Sequence, residues 1–147
     1  MPLLHDAGYR DSIKRRVQSV RPEAKPRWGS MTAAQMLWHA AGALEVCMGR
    51  LAAKERPPFP IPKPILRFMV LNLPWPKGAP TMRALTPTQE YDVEAERARC
   101  LRLIEEFAAR PLNGDWPVHP ILGVLTGEEY SRLQAKHLHH HLTQFGV

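Results

Sequence analysis

His137 and His141 stand four residues apart in the segment Tyr130-Ser-Arg-Leu-Gln-Ala-Lys-His-Leu-His-His-His-Leu-Thr-Gln144. On a helix, residues four apart lie about 40° apart around the axis and roughly 6 Å apart along it, so two imidazoles can converge on one cation. A purification tag would be an uninterrupted run of histidines. Here Leu138 breaks the run and Leu-Thr-Gln-Phe-Gly-Val follows it, which argues against a tag.

The helical steps place Tyr130, Leu133, His137, His141 and Gln144 on one face, so both histidines occupy positions where a leucine would otherwise sit. His139 projects away from that face, and His140 lies at its margin, in reach of a bound molecule. An inward stripe of polar residues in an apolar interior needs a reason. A third histidine supplies one. Gln35, Trp38, His39, Gly42, Ala43 and Val46 form a similar stripe, and His39 has alanine and glycine neighbours that allow a helix or a ligand to come close. A single buried histidine is more often a satisfied core residue than a ligand, but His39 joined to the pair makes a set of three. Three neutral imidazoles from two helices would leave positions for water or substrate, as catalytic sites do. His119, in a His-Pro step before the last helix, reads as a loop residue or as a group at the mouth of the site. His5 has no evident part in it. Trp28, Trp75 and Trp116 fall in loops, where they either plug helix ends or line a pocket.

The fifteen prolines mark where helices cannot be. Pro22 and Pro26 close the first segment. Pro57, Pro58, Pro60, Pro62 and Pro64 interrupt the middle. Pro74, Pro76, Pro80 and Pro87 precede the next helix, and Pro111, Pro117 and Pro120 the last. Three candidate helix starts carry a hydroxyl side chain followed three positions later by Gln or Glu: Thr32 with Gln35, Thr86 with Gln89, and Thr126 with Glu129. Each pair has the pattern of a capping box, in which two side chains satisfy donors that the first helical turn leaves free. Helices are therefore expected at about Asp6–Val20, Thr32–Lys54, Pro87–Ala109 and Thr126–Gln144. The apolar stretch Pro64–Leu73 reads as a short buried helix or a strand, with the leading proline favouring helix. The expected class is all-α: one domain over residues 1–147, most simply a four-helix bundle with a long Pro-rich crossover between its second and third helices.

At 147 residues the chain can bury a core without staples. Cys47 and Cys100 have no short-spaced partner, so they read as small apolar fillers rather than disulfide or zinc-thiolate groups. No signal-like start and no run of eighteen apolar residues occurs, which leads to the expectation of a cytoplasmic protein without a membrane segment. The net charge is +6, with an early excess in Arg10, Lys14, Arg15, Arg16, Arg21, Lys25 and Arg27. Such a cluster could follow a phosphate backbone or form a solvated helix face. With no nucleic-acid motif and few aromatics, nucleic acid ranks last among the partners considered.

Several separate segments together resemble a known group of proteins. Trp28-Gly-Ser-Met-Thr-Ala-Ala-Gln-Met-Leu-Trp-His39, Leu73-Pro-Trp-Pro-Lys-Gly-Ala-Pro-Thr81, His119-Pro-Ile-Leu-Gly-Val-Leu-Thr-Gly-Glu-Glu-Tyr130 and Lys136-His-Leu-His-His-His141-Leu-Thr-Gln-Phe-Gly146 look like a branch, of unknown function, of the DinB/YfiT-like superfamily. The resemblance runs from about Trp28 to Gly146. It implies an up-down-down-up four-helix bundle with a metal held by three histidines, matching His39, His137 and His141. It also implies kinship with transferases or isomerases that use a small thiol such as mycothiol or bacillithiol. His139 stands where that pattern would place an acidic or other polar residue.

Two functions are expected to compete. In the first, a divalent cation on the three histidines activates a thiol or water for attack on a small electrophilic molecule, making a metal-dependent transferase or hydrolase. Zinc or nickel suits imidazole best, and iron and manganese also bind it. Arg67, Lys77 or Arg83 could hold an anionic part of the substrate. In the second, the metal is structural or absent and the bundle is a binding or homodimerisation module. A fourth ligand from Glu45, Asp115 or His140 would favour the second.

Overall fold

The computed structural model describes residues 2–57 and 59–147, so Pro58 of the mid-chain proline cluster lies outside the described residues. The chain is all-helical: α1 (Ala7–Ser19), α2 (Ala33–Cys47), α3 (Lys63–Asn72), α4 (Val93–Ala108) and α5 (Gly127–Gln144), with one turn of 3-10 helix at Arg83–Leu85. No strand occurs among the described residues; the nearest approach is an isolated antiparallel bridge between His119 and Gly123.

α2 packs along α4 and also meets α5; α1 lies against α4 and α5; α3 leans on α5; and the 3-10 turn touches α2. Ile13, Leu37, Leu44, Ile104, Phe107 and Leu138 are among the side chains buried where these helices meet. α1 ends where Arg97 of α4 reaches across to donate to the carbonyls of Val17, Gln18 and Val20, at 2.7, 3.0 and 2.7 Å. Carbonyls that the helix end leaves free are thereby satisfied by a cation.

Two of the three expected capping boxes form. Thr32 accepts from Gln35 N at 3.2 Å and Gln35 Oε1 from Thr32 N at 2.9 Å, and Thr126 and Glu129 repeat the exchange at the start of α5. The third does not form. α4 starts at Val93, capped by Asp92, whose carboxylate accepts from Ala95 N at 2.8 Å, with Glu94 and Glu96 in the first turn. The Thr86 hydroxyl instead donates to Met82 O at 2.9 Å, and Tyr91 stacks on Trp38 with ring centroids 4.9 Å apart. An aspartate cap followed by two acidic residues suits the positive end of the helix dipole better than Thr86 could, and residues 86–92 run as a connection over α2.

α2 stops seven residues short of the expected Lys54. Gly49 takes φ +74°, Gly49 N donates to Val46 O at 3.0 Å, and Arg50 N donates to Glu45 O at 2.9 Å. This is a left-handed glycine terminator that closes the helix with its own carbonyls. α3 is a helix, as expected, but not a buried one. Only Leu66 and Leu71 are covered, while Ile65 and Phe68 remain 53% and 59% exposed.

α3 is tied down by a cation. Lys136 of α5 is buried, and its ammonium donates to Val70 O at 2.7 Å and to Leu73 O. Free carbonyls at the end of α3 thus receive a positive charge from the helix that carries the histidine pair. Trp75 continues the same joint: its indole N–H donates to Val70 O at 2.8 Å, and Lys136 Nζ lies 5.1 Å from its ring.

Candidate metal centre

His39, His137 and His141 come together. One ring nitrogen of each lies within 4.8 Å of the others. The ring centroids of the three pairs are 4.9, 4.6 and 4.6 Å apart, and His39 Nε2 is 2.9 Å from His137 Nε2. Nitrogens bonded to tetrahedral zinc at about 2.0–2.1 Å would sit about 3.4 Å apart. The His39–His137 contact is shorter than that value and the other spacings lie within 4.8 Å, so the three rings form a group that could hold one ion.

Hydrogen bonds outside the cluster decide which nitrogens face inward. His39 Nδ1 is 2.7 Å from Leu85 O, and a carbonyl only accepts, so Nδ1 carries the hydrogen and Nε2 is left with its lone pair. Gly42 leaves room for the Leu85 side chain beside His39: a Cβ there would fall 2.8 Å from Leu85 Cδ2, the mobile end of that side chain. The small residue beside His39 admits the 3-10 turn, not another helix.

A relay does the same for His141. Gln144 Nε2 donates to Trp28 O at 2.8 Å, so Gln144 Oε1 must face His141 Nδ1, which it meets at 2.8 Å. His141 therefore donates through Nδ1 and keeps its Nε2 lone pair. Outer partners of this kind set the tautomer and orientation of metal-binding histidines. With His39 and His141 so fixed, the hydrogen between the two Nε2 atoms belongs to His137, and its Nδ1 is buried with no protein partner. Moving that hydrogen to Nδ1 turns all three Nε2 lone pairs inward.

Burial also keeps the rings neutral. It lowers His39 against the opposing Leu85 bond, and it pushes His141 down to about 3 with help from the neighbouring His39. His137 is held well below the ordinary histidine value by burial, then by His141, His39 and His140. Neutral imidazole is the form that ligates a metal.

Of the residues weighed as a fourth ligand, none joins the group. Glu45 is paired with Arg99 at 3.1 Å, Asp115 is exposed, and His140 sits between Trp28 and Trp75 at centroid distances of 5.4 and 5.6 Å. His139 points outward and receives Arg16 at 3.0 Å. His5 links Ser131 Oγ and Arg110 O, both at 2.8 Å, far along the chain from the cluster. Trp116 packs on Tyr130 and Phe107 as a core plug.

The three histidines border a cavity of about 370 Å³, lined mainly by apolar side chains that include Val46, Leu66, Val70, Trp75, Leu122 and Leu133. Its size falls within the range of small-molecule sites. His119 lines it as well, a residue that sequence reasoning left between loop and mouth. Among the described residues Arg67, Lys77 and Arg83 do not. Arg67 pairs with Glu129 at 2.5 Å, and Lys77 lies over Trp28 at 5.1 Å. Sequence reasoning put Gln144 on the face of the histidine pair without assigning it a role, and it missed Leu85, because a backbone carbonyl carries no motif.

Comparison with known proteins adds a family. A family described as proteins of unknown function, DUF1569, matches residues 11–146. The chain belongs to the DUF1569 family. No curated protein and no solved structure matches it. Among the described residues of this DUF1569 protein, no helix is long and apolar enough to cross a membrane.

Proposed function

We propose that this DUF1569 protein binds a divalent metal ion through His39, His137 and His141 and acts as a metal-dependent transferase or hydrolase on a small electrophilic molecule. The observation that carries the reading is the pair of outer hydrogen bonds, Leu85 O to His39 and Gln144 Oε1 to His141, which turn two Nε2 lone pairs toward the third ring. Zinc or nickel is the proposed ion, with iron and manganese as alternatives. When bound, it would lower the pKa of a thiol or water at its open position and yield a nucleophile near neutral pH. The apolar wall beside the cluster would exclude bulk water and present the electrophile. A low-molecular-weight thiol is the proposed co-substrate.

We further assign α1, α2, α4 and α5 to an up-down-down-up four-helix bundle of the DinB/YfiT-like type, with α3 and the 3-10 turn carried on the Pro-rich crossover from α2 to α4. Elemental analysis of untagged wild-type protein beside His137→Ala tests the metal. About one equivalent of ion in the wild type, lost in the variant, is expected; no ion in either overturns the reading.

A second reading rests on a different observation. Ile65, Phe68 and Met69 leave an apolar row exposed on α3, which supports a homodimerisation module. Sedimentation equilibrium of the wild type and Phe68→Glu separates the two: a dimer that the substitution dissociates without loss of turnover or metal makes dimerisation incidental to the chemistry.

A further inference from the structure

The wall of the cavity in front of the histidines carries no Lys, Arg, Asp or Glu side chain among the described residues. A charged ligand there would lose its hydration with no ion pair in return, apart from whatever the metal end supplies. The protein's +6 charge is therefore not aimed into this space.

One group on the wall is polar and rigidly set. His119 is buried, and the exchange of hydrogen bonds between its backbone and that of Gly123, at 2.8 and 3.1 Å, closes a tight turn. Inside the turn, His119 Nδ1 accepts from Ile121 N and Leu122 N, both at 3.1 Å. Two donors aimed at Nδ1 require its lone pair there, so the hydrogen sits on Nε2. Burial keeps the ring neutral, pushing it down to about 4. That Nε2–H meets no protein acceptor among the described residues. Thr81, His140 and Gln134 are further polar residues of the wall; Gln134 Nε2 donates to Cys47 Sγ at 2.9 Å, and its Oε1 is buried without a protein partner among the described residues.

We propose that the cavity binds an uncharged, largely apolar small molecule bearing a carbonyl, and that His119 is the positioning residue whose Nε2–H holds the carbonyl oxygen. The inference rests on the metal-site reading for which end of the molecule reacts, while the binding itself needs no ion. It also replaces the expectation of an anion held by Arg67, Lys77 or Arg83.

The test uses 2-nonanone and nonanoate as probes, titrated calorimetrically into chelator-treated and zinc-treated protein, with zinc content measured on the same samples. Expected is binding of 2-nonanone to both forms and at least about tenfold weaker binding of nonanoate to the chelator-treated form. His119→Phe should weaken the ketone about fivefold to tenfold at unchanged zinc content. His119→Asn guards against a folding defect, because its carbonyl can still accept from the turn while its amide is too short to replace Nε2–H; it should show the same loss. Absence of ketone binding, equal affinity for nonanoate in the chelator-treated form, or unweakened ketone binding in both variants overturns the proposal. Zinc uptake with no ketone binding in either form sinks this inference alone, and ketone binding by protein that takes up no zinc even after zinc treatment sinks the metal reading alone.

Discussion

Gln144 holds His141 in a single tautomer, its Oε1 2.8 Å from His141 Nδ1 while its Nε2 donates to Trp28 O at 2.8 Å. The amide cannot turn over without setting two acceptors, Oε1 and Trp28 O, face to face. Gln144→Leu keeps the volume and removes the acceptor. Zinc affinity is expected to fall roughly 10–100-fold, read by competition with a chromophoric chelator, with little change in helicity. Unaltered affinity would show that the relay does not orient the ligand.

Acid should destabilise the metal-free protein. Burial holds His141 at about 3 and His119 at about 4 in the fold, against about 6.5 for a histidine in an unfolded chain. The unfolded state then binds more protons, so stability is fully present above about 6.5 and drains away as pH falls toward the folded values. The Tm of chelator-treated protein should drop steadily between pH 7 and pH 5, and His119→Asn should flatten part of that slope. A level profile in the wild type would mean that these rings are not held neutral.

Gly127 opens α5 against the loop at Leu112 and Trp116. A Cβ at that position would lie 2.1 Å from Leu112 O and 2.4 Å from Trp116 Nε1. Backbone cannot yield as a flexible side chain can. Gly127→Ala should therefore cost about 1–3 kcal/mol in chemical denaturation, although alanine is the better helix former. A gain in stability would contradict this packing.

Lys136 is the joint between α5 and α3, donating to Val70 O at 2.7 Å and to Leu73 O. Lys136→Met retains the stem and removes the donor. Faster amide exchange confined to residues 66–75 is expected, together with weaker 2-nonanone binding, because α3 forms one wall of the cavity. Exchange that quickens evenly over the whole chain would point to global destabilisation instead.

Much of this protein was legible along the chain because it is local. His137 and His141 converge through helical geometry alone, and the boxes at Thr32 and Thr126 form between residues three apart. The error at Thr86 was a competition between two local signals, which Asp92 won with acidic residues at the right end of the dipole. The overlong α2 came from passing over Gly49, whose positive φ ends the helix.

Other features exist only once the chain has folded. That His39 meets the pair depends on α2 packing beside α5; that its Nε2 faces inward depends on Leu85 O, 46 residues away in sequence. Gln144 acquires its direction from Trp28 O across 116 residues. The cavity joins α2, α3, α5 and the turn after His119, and no periodicity in any one segment describes a space between several. Short-range geometry set the histidine pair, the helix ends and the His119 turn, whereas the tautomers of His39 and His141 and the apolar wall were decided by contacts whose partners are distant in the chain.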